Sequence, residues 1–243
     1  NELTGITMGK NLTYLGERAF GFCKALKNVT FGSNITNIEV GAFIGCSSLE
    51  NLVLPKSVTH IGHDTFGGCT ALTSVTIPGS MTYIADCMFY ECSKLKNVTI
   101  SEGITEILPA AFCGCTELKE IIIPNSVTAI KSAAFADCGL TEITIPKSVK
   151  NIEPLALGYI IDSRAEEEFE KVKDFTIYGY NDSAAEIYAK ENGFNFVALD
   201  TPSDNCSCIC HKSGIAHFFY LIARLFWKIF NTNKYCSCGT AHY

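Results

Sequence analysis

Residues 111–133 read AFCGCTELKEIIIPNSVTAIKSA, and Ala134-Phe135 begin the phrase again. The same spacing runs through most of the chain. Phe20, Phe43, Phe66, Phe89, Phe112 and Phe135 stand 23 residues apart, as do Cys23, Cys46, Cys69, Cys92, Cys115 and Cys138. Each Cys is followed by a Leu column (Leu26, Leu49, Leu72, Leu95, Leu118, and Leu140 one residue early). Next come Val29, Leu52, Val75, Val98, Ile121 and Ile143, then Phe31, Leu54, Ile77, Ile100, Ile123 and Ile145 two places on. Pairs such as Val58/Ile61 and Val127/Ile130 close the unit. Chance does not give seven apolar columns in six registers. A fixed period of this length marks a repeat architecture.

One such unit cannot bury its own apolar face, but a stack of them can, each coil laying its Leu, Val, Ile and Phe on those of the next. The V-x-I segment alternates with strand period, so it reads as a short parallel strand with Val75 and Ile77 inward, Ser74 and Thr76 outward. Pro55, Pro78, Pro124 and Pro146 follow at once. Proline lacks the amide a ladder needs and ends the strand.

The A-F-x-x-C phrase (Ala42-Phe43…Cys46, Ala111-Phe112…Cys115, Ala134-Phe135…Cys138) and the I-P-x-S-V-T-x-I phrase of Ile123 to Ile130 resemble the BspA-like class of leucine-rich repeats, over roughly Leu3 to Leu199. The resemblance implies a surface protein that binds host or extracellular ligands, adheres or coaggregates. The expected fold is mainly β: a leucine-rich-repeat solenoid with short parallel strands, a C-terminal cap with a short helix, and a small Cys-rich helical tail.

The pattern fades after Ile152, so the expected domains are the solenoid at 1–155, its cap at 156–200 and the tail at 201–243. Residues 159–175 read as a charged hairpin leading to an inward strand at Phe175–Tyr178, with a helix over 163–172 capped by Ser163 as the alternative. Asp182 or Ser183 is an N-cap and Asn192-Gly193 a left-handed stop, giving a short helix. That helix and a strand at 194–199 close the open end of the core, as in the closing segment of the resembling family.

The periodic cysteines read as buried free thiols, each filling one small slot per coil. A disulfide framework shows pairing rather than one Cys per identical unit. Cys87 and Cys113 fall outside the column, at positions expected to be exposed.

The tail breaks from the repeat. Cys206, Cys208, Cys210 and His211 form one cluster and Cys236, Cys238 and His242 another. Cys206, Cys208, Cys236 and Cys238 suffice for a structural zinc site, with His211 or His242 replacing one. Disulfides between the clusters, or reactive thiols, are the other readings. The repeats themselves require no cofactor. Between the clusters, residues 217–230 suit an amphipathic helix. His217, Arg224 and Lys228 make a narrow cationic stripe flanked by Tyr220 and Trp227, and Phe218, Ile222, Leu225 and Phe226 lie opposite, with Phe219 adding to the aromatic content. At 14 residues the segment is too short to cross a bilayer. It suits a membrane interface, a cell-envelope contact or a partner groove, or it packs on the rest of the chain.

The last 43 residues carry four basic groups and one acidic; the first 200 carry 15 basic and 24 acidic. An acidic body argues against nucleic acid as a partner, because phosphate neutralisation needs clustered cations. The start, Asn1-Glu2-Leu3, already lies inside a repeat-like phrase, which reads as a fragment or processed product. No G-x-S-x-G, phosphate-binding-loop or H-E-x-x-H pattern occurs. His60 and His63 read as turn residues, and no pair of carboxylates stands out, so an enzyme is not expected. The candidate ligand face is the outward side of the strands: Asn28, Thr30, Asn51, Val53, Ser74, Thr76, Asn97, Thr99, Glu120, Ile122, Glu142 and Thr144. The expected function is extracellular or cell-surface binding of a protein or glycan through this face. The alternative is a structural spacer whose tail gives metal-dependent or membrane attachment.

Overall fold

The structure is a computed structural model, and it describes residues 2–161 and 169–200. Residues Asn1–Asp200 make one compact unit. The residues of the expected tail sites, from Cys206 to His242, lie outside the described residues, as does the stretch 162–168 between the two hairpin strands.

Successive coils stack as parallel ladders on two sides. On the first side β1 (Gly5–Thr7), β3 (Asn28–Thr30), β5 (Asn51–Val53), β7 (Ser74–Ile77) and β9 (Asn97–Ile100) pair in sequence order. The register is one full repeat: Ser74 faces Asn51 and Asn97, and Val75 faces Leu52 and Val98. Val75 and Ile77 are buried and Thr76 is exposed, as the period-two alternation predicts. The second side was not anticipated as strand. There, two-residue bridges form β2 (Tyr14–Leu15), β4 (Asn37–Ile38) and β6 (His60–Ile61) in one ladder. A second ladder holds β8 (Tyr83–Ile84), β10 (Glu106–Ile107), β11 (Ala129–Ile130) and β13 (Asn151–Ile152).

Between the sheets lies the core of stacked columns. Phe43, Phe66, Phe89 and Phe112 are fully buried, and the six rings from Phe20 to Phe135 lie 5.3–5.7 Å apart, within 14° of parallel. Such offset stacking adds to what area burial alone gives. From Cys46 onward each column thiol donates to the carbonyl of the Phe 26 residues earlier: Cys46 to Phe20 (3.1 Å), Cys92 to Phe66 (3.2 Å), Cys138 to Phe112 (3.2 Å). The slot therefore wants a small apolar side chain with one weak donor, which is Cys. The Ser of I-P-x-S-V-T works the same way, Ser57, Ser80 and Ser126 donating to the carbonyls of Ile35, Val58 and Ile104.

Each coil turns its remaining corner through two left-handed residues. Arg18, Gly41, Asp64, Cys87, Ala110, Ala133 and Leu155 occupy the first, at φ of 49–62°. Phe22, Gly45, Gly68, Glu91, Gly114, Asp137 and Gly158 occupy the second, at 53–79°. From Arg18 to Asp137 their amides donate to the next coil, as Asp64 N–H does to Asp86 O (3.0 Å) and Gly68 N–H to Tyr90 O (2.7 Å). This conformation costs a residue with a Cβ; here the inter-coil hydrogen bonds hold it.

Three expectations need correction. Glu120 and Ile122 are exposed, but residues 118–124 form no strand. On this side strand structure returns only at β12 (Glu142–Thr144), in a separate sheet, beside the turn that is one residue short at Cys138-Gly139-Leu140. A Cβ on Gly139 would lie 2.4 Å from the Thr116 carbonyl oxygen, so only glycine fits that turn. Cys113 is buried, not exposed, because its turn position lies against the next coil, where the matching residue Ala136 is buried too. His60 lies on β6 rather than in a turn.

The end of the array follows the sequence closely. β14 (Tyr159–Ile161) and β15 (Phe169–Lys171) form an antiparallel hairpin, so the alternative helix fails at 169–171. Then β16 (Thr176–Gly179) joins β12 in register, with Phe175 and Ile177 buried. The helix α1 (Ala184–Asn192) begins at Ser183, whose side chain accepts from Glu186 N–H, and stops at Gly193 at φ 67°. Finally β17 (Asn195–Ala198) adds to β16.

Candidate functional site

The first sheet lifts the alternate residues of every coil to the outside. Asn28, Thr30, Asn51, Thr76, Asn97, Thr99, Glu120 and Glu142 are exposed, while Ser74 and Thr144 are half-buried. The pairing Asn28–Asn51–Ser74–Asn97 puts amides and a hydroxyl on consecutive rungs. Thr7, Thr30, Val53, Thr76 and Thr99 form the parallel row, in which Val53 is 74% exposed. Adjacent strands lie about 4.8 Å apart, so this face offers donors and acceptors at a fixed repeat. It is uncharged from β1 to β9 and turns acidic at Glu120 and Glu142. The Tyr178 hydroxyl donates to the Glu142 carboxylate (3.4 Å).

Sequence reasoning missed a second outward row, on the other side. Tyr14, Asn37 and His60 stand in register on β2, β4 and β6. Tyr83, Glu106, Ala129 and Asn151 stand in register on β8, β10, β11 and β13. No main-chain pairing joins β6 to β8, but the Tyr83 hydroxyl meets His60 Nδ1 at 3.0 Å across that seam. The sequence shows only that V-T-x-I places one variable residue just before each buried Ile, which does not mark a strand.

Ion pairs join residues outside the two rows. Lys96–Glu117 (2.8 Å) and Lys131–Glu153 (3.0 Å) link neighbouring coils, and each lysine partner holds its glutamate below the usual carboxylate range. His63 Nδ1 lies 2.8 Å from the Asp64 carboxylate on an exposed turn. Most of the described thiols are held in their protonated form by burial. Burial pushes Cys46 and Cys113 up to about 11 and Cys92 to about 12, and raises Cys69, Cys115 and Cys138 as well. Cys87, half-buried beside Asp86, is pushed up to about 12 by burial and then by that carboxylate. A shallow groove of about 410 Å³ runs between β13 and α1, lined by Lys147, Lys150, Asn151, Asp182, Ile187 and Glu191 among others, with no histidine or cysteine.

Among the described residues no group of three or more His, Cys, Asp or Glu is placed to hold a metal, and no helix is long and apolar enough to cross a membrane. The zinc ligands expected in the tail and the helix at 217–230 lie outside the described residues.

A model of the BspA type leucine rich repeat region matches this sequence in six copies, over residues 1–59 and 36–161. Among solved structures, the chain is similar to a leucine-rich repeat protein from Bacteroides ovatus, at 22% identity and a TM-score of 0.56, over 79% of this chain and 51% of that one. It is similar to one from Eubacterium ventriosum at 26% identity and a TM-score of 0.59, over 69% and 47%. A leucine rich cell surface protein from Faecalibacterium prausnitzii shares 26% identity over 67% of this chain and 61% of its own, with a TM-score of 0.35. The chain spans about half the length of the first two structures. No curated protein matches it.

Proposed function

This chain belongs to the BspA-type leucine-rich-repeat family, and from that premise we propose that it is a binding protein of the cell surface or extracellular space, not an enzyme. Leucine-rich repeats are a non-enzymatic scaffold that generally binds proteins. The observation that carries the proposal is the outward row Asn28, Asn51, Ser74 and Asn97 with Thr30, Val53, Thr76 and Thr99 beside it. These side chains stand on a rigid parallel sheet whose core is complete without them. A flat, regular array of small polar groups suits an extended protein or glycan surface better than a small molecule, which needs a concave pocket.

The test is a binding screen of the full chain against immobilised extracellular-matrix proteins and a glycan array, with a double variant, Asn51→Arg/Thr76→Arg, run beside it. Both side chains are exposed, so stability should hold within about 0.5 kcal/mol. Capture by the native chain that the double variant loses supports the reading. Capture that survives in the double variant sinks it. It would leave the second outward row, or the spacer alternative with attachment through residues 201–243 by zinc-dependent or membrane contact, as the source of the capture.

A further inference from the structure

The second sheet carries a different chemistry from the first. Its outward row runs Tyr14, Asn37, His60, Tyr83, Glu106, one side chain per coil. The fold does not demand these residues. The same position holds Ala129 and Asn151 farther along, and the bridges there form equally well. Tyr14 is 55% exposed, which a solenoid with no use for it would fill with a polar side chain. We propose that this row binds an extended, uncharged oligosaccharide laid along the stacking direction of the coils.

Three features of the row favour that ligand. Its side chains combine two phenol rings with an amide, an imidazole and a carboxylate. Sugars present C–H faces that rest on aromatic rings and hydroxyls that pair with planar polar groups. The rungs repeat about every 4.8 Å, close to the advance of one pyranose ring in an extended chain, so successive sugars meet successive side chains. Tyr14 and Tyr83, three rungs apart, then act as platforms near the two ends of a short oligosaccharide. The charge also fits a neutral ligand: Glu106 is the row's one carboxylate, and the Lys131 ammonium lies within its electrostatic reach.

The row is also held in place before any ligand arrives, which lowers the entropy cost of binding. Tyr83 is half-buried and packs on the hydrophobic core, and its hydroxyl is fixed by His60 Nδ1 at 3.0 Å. Asn37 Oδ1 accepts from the Thr36 hydroxyl (2.8 Å), which fixes the amide and commits its oxygen. The Asn37 NH₂ group and His60 Nε2 have no partner among the described residues. The neighbouring Thr105 hydroxyl donates to the carbonyl of Thr82, and its oxygen still has room to accept from a sugar hydroxyl.

The experiment titrates the full chain with hexaoses of β-1,4-linked glucose, xylose and N-acetylglucosamine, by calorimetry and by ligand-observed NMR. At least one should bind in the range usual for a single exposed sugar site. Tyr14→Ala should weaken it about fivefold, the size of one aromatic contact, and His60→Ala should do likewise. The control Asn51→Arg/Thr76→Arg, on the other sheet, should leave the affinity unchanged, which separates this site from the one proposed above. Tyr83→Phe keeps the ring and the packing and removes only the hydroxyl, so it reports on the His60 bond without unfolding the coil. No binding of any of the three hexaoses at about 10 mM, far above any useful affinity, overturns the proposal. So does binding that survives Tyr14→Ala and His60→Ala, or a protein ligand lost in those variants with no saccharide bound.

Discussion

The Ser126 hydroxyl donates to the Ile104 carbonyl oxygen at 2.6 Å, one coil back. Ser148 holds the matching place of the next unit, yet its Oγ is buried and, among the described residues, has no partner. One motif letter thus has two energetic values. Ser126→Ala should cost about 1 kcal/mol, because it leaves a carbonyl unpaired. Ser148→Ala should be neutral or slightly stabilising, because it removes an unsatisfied hydroxyl. Urea unfolding midpoints of the two variants decide it, and equal losses would show that Ser148 is bonded in solution.

The buried thiols predict alkaline sensitivity. Burial raises the folded pKa of Cys46, Cys92 and Cys113 from 9.0 to about 11 or 12. The unfolded chain therefore loses these protons near pH 9 while the folded chain keeps them. Their contribution is fully present below that pH and declines from about pH 9 up to the folded values, by at most about 1.4 kcal/mol per pH unit for each thiol. Denaturation under reducing conditions at pH 7, 9 and 10.5 should show this fall. Cys92→Ala in the same series should flatten the slope, and a slope unchanged by that substitution would refute the assignment.

The left-handed corners are another lever. Ala110 sits at φ 51° and Ala133 at 54°, where Gly41 stands in an earlier coil. Ala110→Gly should stabilise by about 0.5–1 kcal/mol, since relief of the Cβ strain exceeds the added freedom of the unfolded chain. Ala110→Val should destabilise by more than that. Thermal unfolding of the pair measures both signs, and a lower midpoint for the glycine variant would contradict the argument.

Gly139 should tolerate nothing larger. Alanine there drives a methyl group to 2.4 Å from the Thr116 carbonyl oxygen, which is main chain and moves only with the coil. A loss of about 1–3 kcal/mol is expected, against almost none for Gly9→Ala, where no atom lies within 4 Å. Chemical denaturation of the two variants gives the comparison.

How much of this was legible beforehand differs residue by residue. Phe66, Leu72, Val75 and Ile77 could be placed in the core from the period alone, and Asn51 and Thr76 on the outside from strand alternation. The Ser183 cap and the Gly193 stop were readable because capping is local chemistry. The row from Tyr14 to Glu106 was not. Its bridges are two residues long and have no strand signal of their own, so the neighbouring coil decides them. Cys113 was misplaced because its burial depends on which side of a corner it falls, and the left-handed residues that set the corner are mostly not glycine.

The amino-acid order by itself settled that identical coils stack and which columns meet, because a repeated unit with an apolar face can bury it only against its copy. Tertiary structure alone decided the second ladder, the corner at Ala110, the break beside Gly139 and the meeting of Tyr83 with His60. Each of these depends on hydrogen bonds or close approaches between residues a full coil apart, and no local preference encodes such contacts.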